Sequence, residues 1–125
     1  MEFIKSTHWS KYPVVAFDTE TSGAYPIESE IIELGAVKWF NGQVIGRYQT
    51  LLKPSKLLLP DNIRIHGITN EMVQNAPLMS EKILSFCEFI ENSILVAHHA
   101  PFDLGFLTPA IEKAGLRFPN CIHFC

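Results

Sequence analysis

Two acidic residues, Asp18 and Glu20, stand one residue apart at the end of an apolar run over residues 14–17. That run has the β-branched and apolar composition of a buried strand. Residues i and i+2 of a strand point to the same face, so the two carboxylates converge. Like charges held this close favour a bound cation, and oxygen ligands suit Mg²⁺ or Mn²⁺. Two solvated acids at a strand end are the alternative, and the pair alone does not decide between them.

A second polar cluster follows the apolar run at residues 94–97, which has the length and composition of a central strand. A crossover helix that begins at Ser80 precedes this strand, so we expect it to run parallel to the first one. His98, His99 and then Asp103, which opens the next helix, come after it. Because α/β folds bind ligands at the carboxyl ends of adjacent strands, Asp103 is predicted to lie near the first acidic pair.

The remaining strand-like segments place both clusters in a mixed sheet. Two runs, residues 28–40 and 43–52, flank Asn41-Gly42, the dipeptide best suited to a type I′ hairpin turn. With the opening strand they predict three antiparallel strands. Another strand-like segment covers residues 117–125.

Three helices are predicted around this sheet. A short one has Thr69 or Asn70 as its cap. The last one covers residues 104–114 and ends at Gly115, and Pro109 inside it predicts a kink or a restart. The middle helix carries an apolar stripe that we interpret as core: Ile83, Leu84, Phe86, Cys87 and Ile90.

Composition limits the possible classes of protein. The chain has 125 residues, of which 47% are hydrophobic and 18% charged, and its formal net charge is −3. These values fit one globular domain and exclude both a disordered chain and the broad basic surface of a duplex-binding module. No apolar run approaches the roughly 18 residues of a membrane span, and no signal-peptide core is present, so we expect a cytoplasmic protein.

The three cysteines, Cys87, Cys121 and Cys125, lack the spacing of a disulfide framework, which favours reduced thiols. Cys121, His123 and Cys125 would share one face of a strand, where a soft-metal site can be imagined. Burial of the cysteine in the core is the better interpretation, because free cysteine is commonly interior.

Three groups of residues, taken in order, resemble the motifs of the DnaQ-like 3′-to-5′ exonucleases of the Asp-Glu-Asp-Asp type. The groups are Asp18-Thr19-Glu20-Thr21, Ile65-His66-Gly67-Ile68-Thr69 and Val96-Ala97-His98-His99-Ala100-Pro101-Phe102-Asp103. One such motif is weakly specific, whereas three in order across residues 14–106 are strongly specific. His99 stands where the family usually has Asn. The resemblance implies a ribonuclease H-like three-layer α/β fold with a five-stranded mixed sheet.

The resemblance also implies a reaction and its site. Asp18 would bridge two divalent cations, Mg²⁺ or Mn²⁺, Glu20 would hold one of them, and Asp103 would complete the site. The reaction would be hydrolysis of the last phosphodiester at the 3′ end of single-stranded DNA or RNA, with release of a nucleoside 5′-monophosphate. Nucleotide contacts would come from Thr21, Ser22, Gly23, His66, Ile68, His98 and Phe102. Judged by its position beside a helix start alone, His66 is more simply structural.

The resemblance stops after Asp103. The family's third motif, His-x-x-x-x-Asp, supplies a general base and a fourth metal ligand, but Glu112 is the only acid after Asp103 and His123 has no Asp behind it. The helices that the family places after its last strand are also missing. We therefore expect a domain, residues 1–125, that is incomplete at its C-terminus, with weak metal binding that prefers Mn²⁺ and with impaired hydrolysis. An uncovered apolar sheet face would favour a homodimer.

Two other functions remain open from the sequence. One is a non-catalytic nucleotide- or partner-binding module on a degenerate exonuclease fold. The other is a different metal-dependent phosphohydrolase of ribonuclease H-like architecture. Single-stranded ends need only a pocket and some stacking, so the missing basic stripe is compatible with an exonuclease. Association with a polymerase is compatible with the resemblance, and the choice between DNA and RNA stays open.

Overall fold

One mixed sheet organises the computed structural model, which describes residues 11–124, with the backbone alone for residues 123 and 124. Its five strands are β1 Val14–Thr21, β2 Ile31–Phe40, β3 Gln43–Leu51, β4 Ile94–Val96 and β5 Ile122–Phe124. They lie in the spatial order β3-β2-β1-β4-β5. The pairs β1–β2 and β2–β3 are antiparallel, whereas β4 is parallel to β1 and β5 is parallel to β4. The predicted mixed sheet, with three antiparallel strands and a parallel β4, is confirmed.

The β2–β3 connection is the two-residue turn that the sequence predicts. Asn41 has φ of 53° and Gly42 has φ of 75°. A type I′ turn requires positive φ at both central residues, and Asn-Gly supplies it at low cost. The turn fixes the register of the hairpin that forms one side of the sheet.

The described residues form four helices, which are α1 Pro60–His66, α2 Asn70–Val73, α3 Met79–Ile90 and α4 Ala100–Lys113. Thr69 caps α2, as predicted, and its hydroxyl accepts the N–H of Met72 at 3.3 Å. Helix α1 is not predicted by the sequence pattern. None of its residues is buried, and its local signals are Pro60 at its start and Gly67, with φ of 74°, directly after its end.

Two details of the predicted helices are wrong. Helix α4 begins at Ala100 instead of residue 104, and it runs through Pro109 without a break. Pro109 removes one backbone hydrogen bond, whereas Phe106 and Ile111 on either side of it are buried, so packing holds the helix together. In α3, Leu84 is 55% exposed and does not belong to the core stripe.

The main core covers one face of the sheet. We call the covered face the side of the sheet that carries Val15, Phe17, Thr19, Leu34 and Ala36, and the open face the side that carries Ala16, Asp18, Glu20, Gly35 and Val37. Side chains of α3 and α4 pack on the covered face, among them Ile83, Phe86, Ile90, Phe106, Leu107 and Ile111. A second cluster is formed by Ile32, Leu58, Ile68 and Val73. Ile32 is the extra residue of a bulge in β2, which separates it from the main core.

The sequence allows the cysteines to be either buried core residues or part of a soft-metal site, and burial is what the structure shows for Cys87 and Cys121. Both residues are buried in the main core. Burial raises the pKa of Cys121 to about 12, so its thiol is protonated at neutral pH. The side chain of His123 and the whole of Cys125, which the soft-metal alternative requires, lie outside the described residues. None of the helices between residues 11 and 124 has the length and apolar character that a membrane span requires.

Candidate active site

Asp18 and Glu20 lie on the open face at the carboxyl end of β1. Asp18 is exposed and Glu20 is part-exposed. In the antiparallel register with β2, Asp18 is opposite Gly35 and Glu20 is opposite Glu33. A Cβ atom added to Gly35 would meet no heavy atom within 4 Å, so there is free space beside Asp18. An open cavity of about 470 Å³ is lined by Asp18, Gly35 and His98, among others.

Asp103 reaches this strand end from the first turn of α4. It is 4% exposed. One of its carboxylate oxygens, Oδ1, accepts the hydroxyl of Thr19 at 2.5 Å and the backbone N–H of Thr19 at 3.3 Å. Because Thr19 stands between Asp18 and Glu20, these bonds connect the start of α4 to the acidic end of β1. The predicted proximity of Asp103 to the acidic pair is therefore present in the fold.

Burial and neighbouring negative charges raise the pKa of two of the three acids, Glu20 and Asp103. The pKa of Glu20 is raised, first by burial and then by the charges of Asp18, Glu33 and Asp103. The pKa of Asp103 is also raised, chiefly by burial, and the charge of Asp18 adds to this, whereas the hydrogen bonds from Thr19 oppose it. A carboxyl group whose pKa is raised by neighbouring negative charges is stabilised in its ionised form by a bound cation.

Glu33 is an acid near the site that the sequence reasoning missed. It faces Glu20 across the β1–β2 pair, and its Oε2 accepts the side-chain amide of Gln49 at 2.5 Å. The pairing of β1 with β2 was predicted, but the residue-by-residue register was not. Register alone determines which residue of β2 stands opposite Glu20.

The donor chemistry of the site fits a hard cation. Asp18, Glu20 and Asp103 offer only oxygen ligands, which Mg²⁺ and Mn²⁺ prefer, with water or phosphate oxygens as further ligands. No group of three or more potential ligands is close enough to hold a metal ion within residues 11–124, as far as their side chains are described. The three carboxylates thus suit such an ion by type and charge, but their side chains do not form a closed cage.

The loop after β1 is fixed by its own hydrogen bonds. The hydroxyl of Thr21 donates to the carbonyl of Gly23 at 2.8 Å. Both the hydroxyl and the N–H of Ser22 bond to the backbone of Glu30, at 2.9 Å and 2.8 Å. Asn62 of α1 donates to the carbonyl of Ser22 at 2.7 Å. The predicted nucleotide-binding loop therefore has a defined shape, and its two hydroxyls are engaged within the protein.

His66 and Ile68 have mainly structural surroundings. Nδ1 of His66 accepts the N–H of Ile68 at 3.0 Å, and this bond closes the turn after α1. Nε2 of His66 is buried and has no hydrogen-bond partner among the described residues. Burial lowers the pKa of His66, which favours the neutral ring. Ile68 is 5% exposed within the second cluster, so its side chain packs in the interior instead of facing a ligand.

Two histidines follow β4, and they have different surroundings. His98 lines the open cavity together with Asp18. His99 precedes α4, and its ring stacks on Phe102 with a centroid distance of 6.2 Å and an interplanar angle of 16°. Phe102 also contacts Phe106 at a centroid distance of 5.1 Å. His98 thus lines the same cavity as Asp18, whereas Phe102 connects the exposed His99 ring to the core.

Comparison with known proteins identifies the family of the chain. The family model described as Exonuclease, RNase_T, matches residues 15–124. The PolC-type DNA polymerase III of Thermotoga petrophila is 46% identical over 99 residues, which are 79% of this chain and 7% of that protein. The DNA polymerase III subunit epsilon of Treponema pallidum is 44% identical over 97 residues, which are 78% of this chain and 45% of that protein. The chain therefore spans less than half of the length of both relatives.

Solved structures show the same fold. Exonuclease X in complex with 5′-overhanging duplex DNA matches with a TM-score of 0.68 and 26% identity, over 90% of this chain and 58% of that one. E. coli exonuclease I in complex with an oligonucleotide matches with a TM-score of 0.80 and 15% identity, over 90% of this chain and 28% of that one. At that identity the second match supports the fold alone. By its family match and its relatives, the chain belongs to the RNase T/DnaQ-like 3′-to-5′ exonucleases, a family of hydrolases.

Proposed function

We propose that this chain hydrolyses the terminal phosphodiester at the 3′ end of a single strand and releases nucleoside 5′-monophosphates. The observation that carries the proposal is the proximity of three acidic residues to the carboxyl end of β1. Asp18 and Glu20 share one face of that strand, and Asp103 is bonded to the residue between them. The pKa of Glu20 responds to the charges of both other acids, which supports their proximity.

In this proposal the three acids hold two divalent cations, Mg²⁺ or Mn²⁺. Asp18 would contribute to holding both cations, Glu20 would hold one of them, and Asp103 would complete the site. Such a pair of cations stabilises both the attacking and the leaving oxygen of an in-line displacement at phosphorus. The structured loop of Thr21, Ser22 and Gly23 would orient the terminal nucleotide.

Four further residues, His66, Ile68, His98 and Phe102, are predicted to contact the nucleotide, and we keep His98 and Phe102 in the proposed site. His98 lies beside Asp18, and Phe102 offers a half-buried aromatic ring near Asp103. Stacking on a ring of this kind is a common way to hold a single-stranded base. We assign His66 the role of closing the turn after α1. Ile68 packs in the core and is left out of the site.

We infer that the 125-residue chain is a weak exonuclease. No histidine and aspartate with third-motif spacing follow Asp103, and Glu112 is exposed on α4. A general base contributes about 10² to 10⁴ in rate, and a fourth carboxylate would strengthen metal binding. We therefore expect the chain to need Mn²⁺ and to act slowly.

The relatives favour DNA as the substrate and a polymerase as a partner. One relative is named a PolC-type DNA polymerase III and the other a subunit of DNA polymerase III, and the exonuclease X structure holds duplex DNA with a 5′ overhang. We extend these properties to this chain as part of the proposal. Part-exposed apolar residues on the open face, such as Val37 and Val96, support the further proposal of a homodimer.

A non-catalytic binding module is the second candidate. The observation that favours it is that the described side chains do not gather three ligands around one point. Such a module would keep the structured loop and the aromatic residues and would bind a 3′ end without cleaving it.

In the test, a single-stranded DNA oligonucleotide labelled at its 5′ end is incubated with Mn²⁺ and the chain. We expect a ladder that shortens from the 3′ end, its loss in the Asp18→Ala variant, and its retention in the Glu112→Ala variant, which changes an exposed acid elsewhere. No ladder together with binding of the oligonucleotide would favour the binding module. A ladder that survives Asp18→Ala would contradict the assigned site, and cleavage of internal bonds in an RNA·DNA hybrid would indicate a different phosphohydrolase.

A further inference from the structure

Thr19 stands between Asp18 and Glu20 on β1, and its side chain points to the opposite face of the strand. It lies on the covered face and is 6% exposed. Its hydroxyl and its backbone N–H both donate to Oδ1 of Asp103, at 2.5 Å and 3.3 Å, across a sequence separation of 84 residues. The partner is a carboxylate that is itself 4% exposed. A buried charged group requires such donors, because an unpaired buried charge is costly.

The geometry of these two hydrogen bonds restricts the orientation of the Asp103 carboxylate. Both donors from Thr19 reach the same oxygen, so Oδ1 is held on the side of β1 while the other oxygen, Oδ2, takes no part in these two bonds. Hydrogen bonds to a charged acceptor are short and directional, and they limit rotation of the carboxylate about its last torsion. The same bonds attach the first turn of α4 to the end of β1.

We propose that Thr19 is a positioning residue that orients Asp103 so that Oδ2 faces the cation site formed with Asp18 and Glu20. This inference rests on the proposed function, since it presupposes that the three acids bind a divalent cation. Residues that hold a metal ligand by a hydrogen bond typically change metal affinity by about 10- to 100-fold when they are replaced. Thr19 is therefore expected to act on metal affinity without touching the metal.

The test measures Mn²⁺ binding to the free chain by electron paramagnetic resonance, without nucleic acid. Thr19→Val keeps the shape of the side chain and removes its hydroxyl, and we expect it to weaken Mn²⁺ binding at least about 10-fold. Thr19→Ser keeps the hydroxyl, and we expect Mn²⁺ affinity within about 3-fold of the wild type. Thr50→Val is the matched control, because Thr50 lies in the same row of the sheet on β3 and its hydroxyl bonds to Leu51 instead of an acid.

A second comparison separates orientation of Asp103 from a general effect on folding. In the Asp103→Asn background, the Thr19→Val change should cause no further loss of Mn²⁺ affinity, because the group that it orients has lost its charge. The thermal unfolding midpoint without metal is recorded for each variant. Should Thr19→Val fail to fold, the Thr19→Ser and Thr19→Ala variants provide the same comparison.

The outcomes distinguish this inference from the proposed function. If the wild-type chain binds no Mn²⁺, both are wrong. If the wild type binds Mn²⁺ and folded Thr19→Val binds it equally well, the positioning role is wrong and the proposed function stands. Equal losses in Thr19→Ser and Thr19→Val would also overturn the role of the hydroxyl.

Discussion

The two faces of β1 carry residues with opposite requirements. Val15, Phe17 and Thr19 on the covered face are 0%, 5% and 6% exposed, whereas Asp18 is exposed and Glu20 part-exposed on the open face. Because successive residues of a strand point to opposite sides, a single eight-residue strand contributes both to the core and to the candidate site. Fold stability and the proposed chemistry thus depend on alternate residues, and Thr19 connects the two through Asp103.

The Glu20→Gln substitution on the open face should change nuclease activity strongly and fold stability little, and it has the largest expected effect. Loss of a cation ligand removes several kcal/mol of transition-state stabilisation, so nuclease activity with Mn²⁺ should fall by about 10⁴-fold. The free energy of unfolding without metal should stay equal or rise slightly, because burial and then the charges of Asp18, Glu33 and Asp103 disfavour an ionised Glu20, and glutamine carries no charge. Single-turnover hydrolysis and urea unfolding measure the two effects, with Glu112→Gln as the control. A clear loss of stability would instead give Glu20 a role in packing.

Thiol reactivity tests how well the covered face excludes water. Burial raises the pKa of Cys121 to about 12. At pH 8 the thiolate fraction is then about a thousandth of that of an unperturbed thiol, and only the thiolate reacts. Alkylation of Cys121 by iodoacetamide, followed by peptide mass analysis, should be about 10³-fold slower in the native chain than in urea. Similar rates in both conditions would contradict the burial of Cys121 in the core.

Paired valine substitutions compare the two faces with the same chemical change. Val15→Ala on the covered face should cost about 2 kcal/mol of unfolding free energy, since two buried methyl groups are lost and a cavity remains. Val37→Ala on the part-exposed open face should cost about 1 kcal/mol or less. Urea unfolding of both variants measures the difference. Equal costs would mean that the open face is covered in solution.

Elements with local signals were predictable from the sequence. The Asn41-Gly42 turn follows from the positive φ that only a few residue types tolerate, and β4 follows from a short apolar run after a helix. Helix α1 could not be predicted in the same way, because none of its residues is buried and no apolar stripe marks it. Asn62 in α1 bonds to the loop after β1, a contact that depends on tertiary structure alone.

The acidic residues of the candidate site were predictable from the sequence, but the hydrogen bonds that link its elements were not. Alternation along β1 and the position of Asp103 after β4 are enough to predict that the three acids lie near the same end of β1. The bond from Thr19 to Asp103 joins residues that are 84 positions apart, and it requires α4 to begin at Ala100. A usable signal did exist, since alternation buries the Thr19 hydroxyl and a buried hydroxyl needs a partner.

Leu84 lies on the solvent-exposed side of α3, the helix that packs on the covered face. Replacing it should have the smallest effect of the changes considered. It was predicted as core because leucine fits the apolar spacing of α3, yet it is 55% exposed, whereas its neighbour Ile83 is 1% exposed. Leu84→Gln should therefore change the unfolding free energy by less than about 0.5 kcal/mol, while Ile83→Ala should cost about 2 to 5 kcal/mol. Urea unfolding at several protein concentrations measures both. If Leu84→Gln were strongly destabilising only at high concentration, the outer side of α3 would be an interface between chains, because burial by a second chain would then explain why an apolar residue stands at that position.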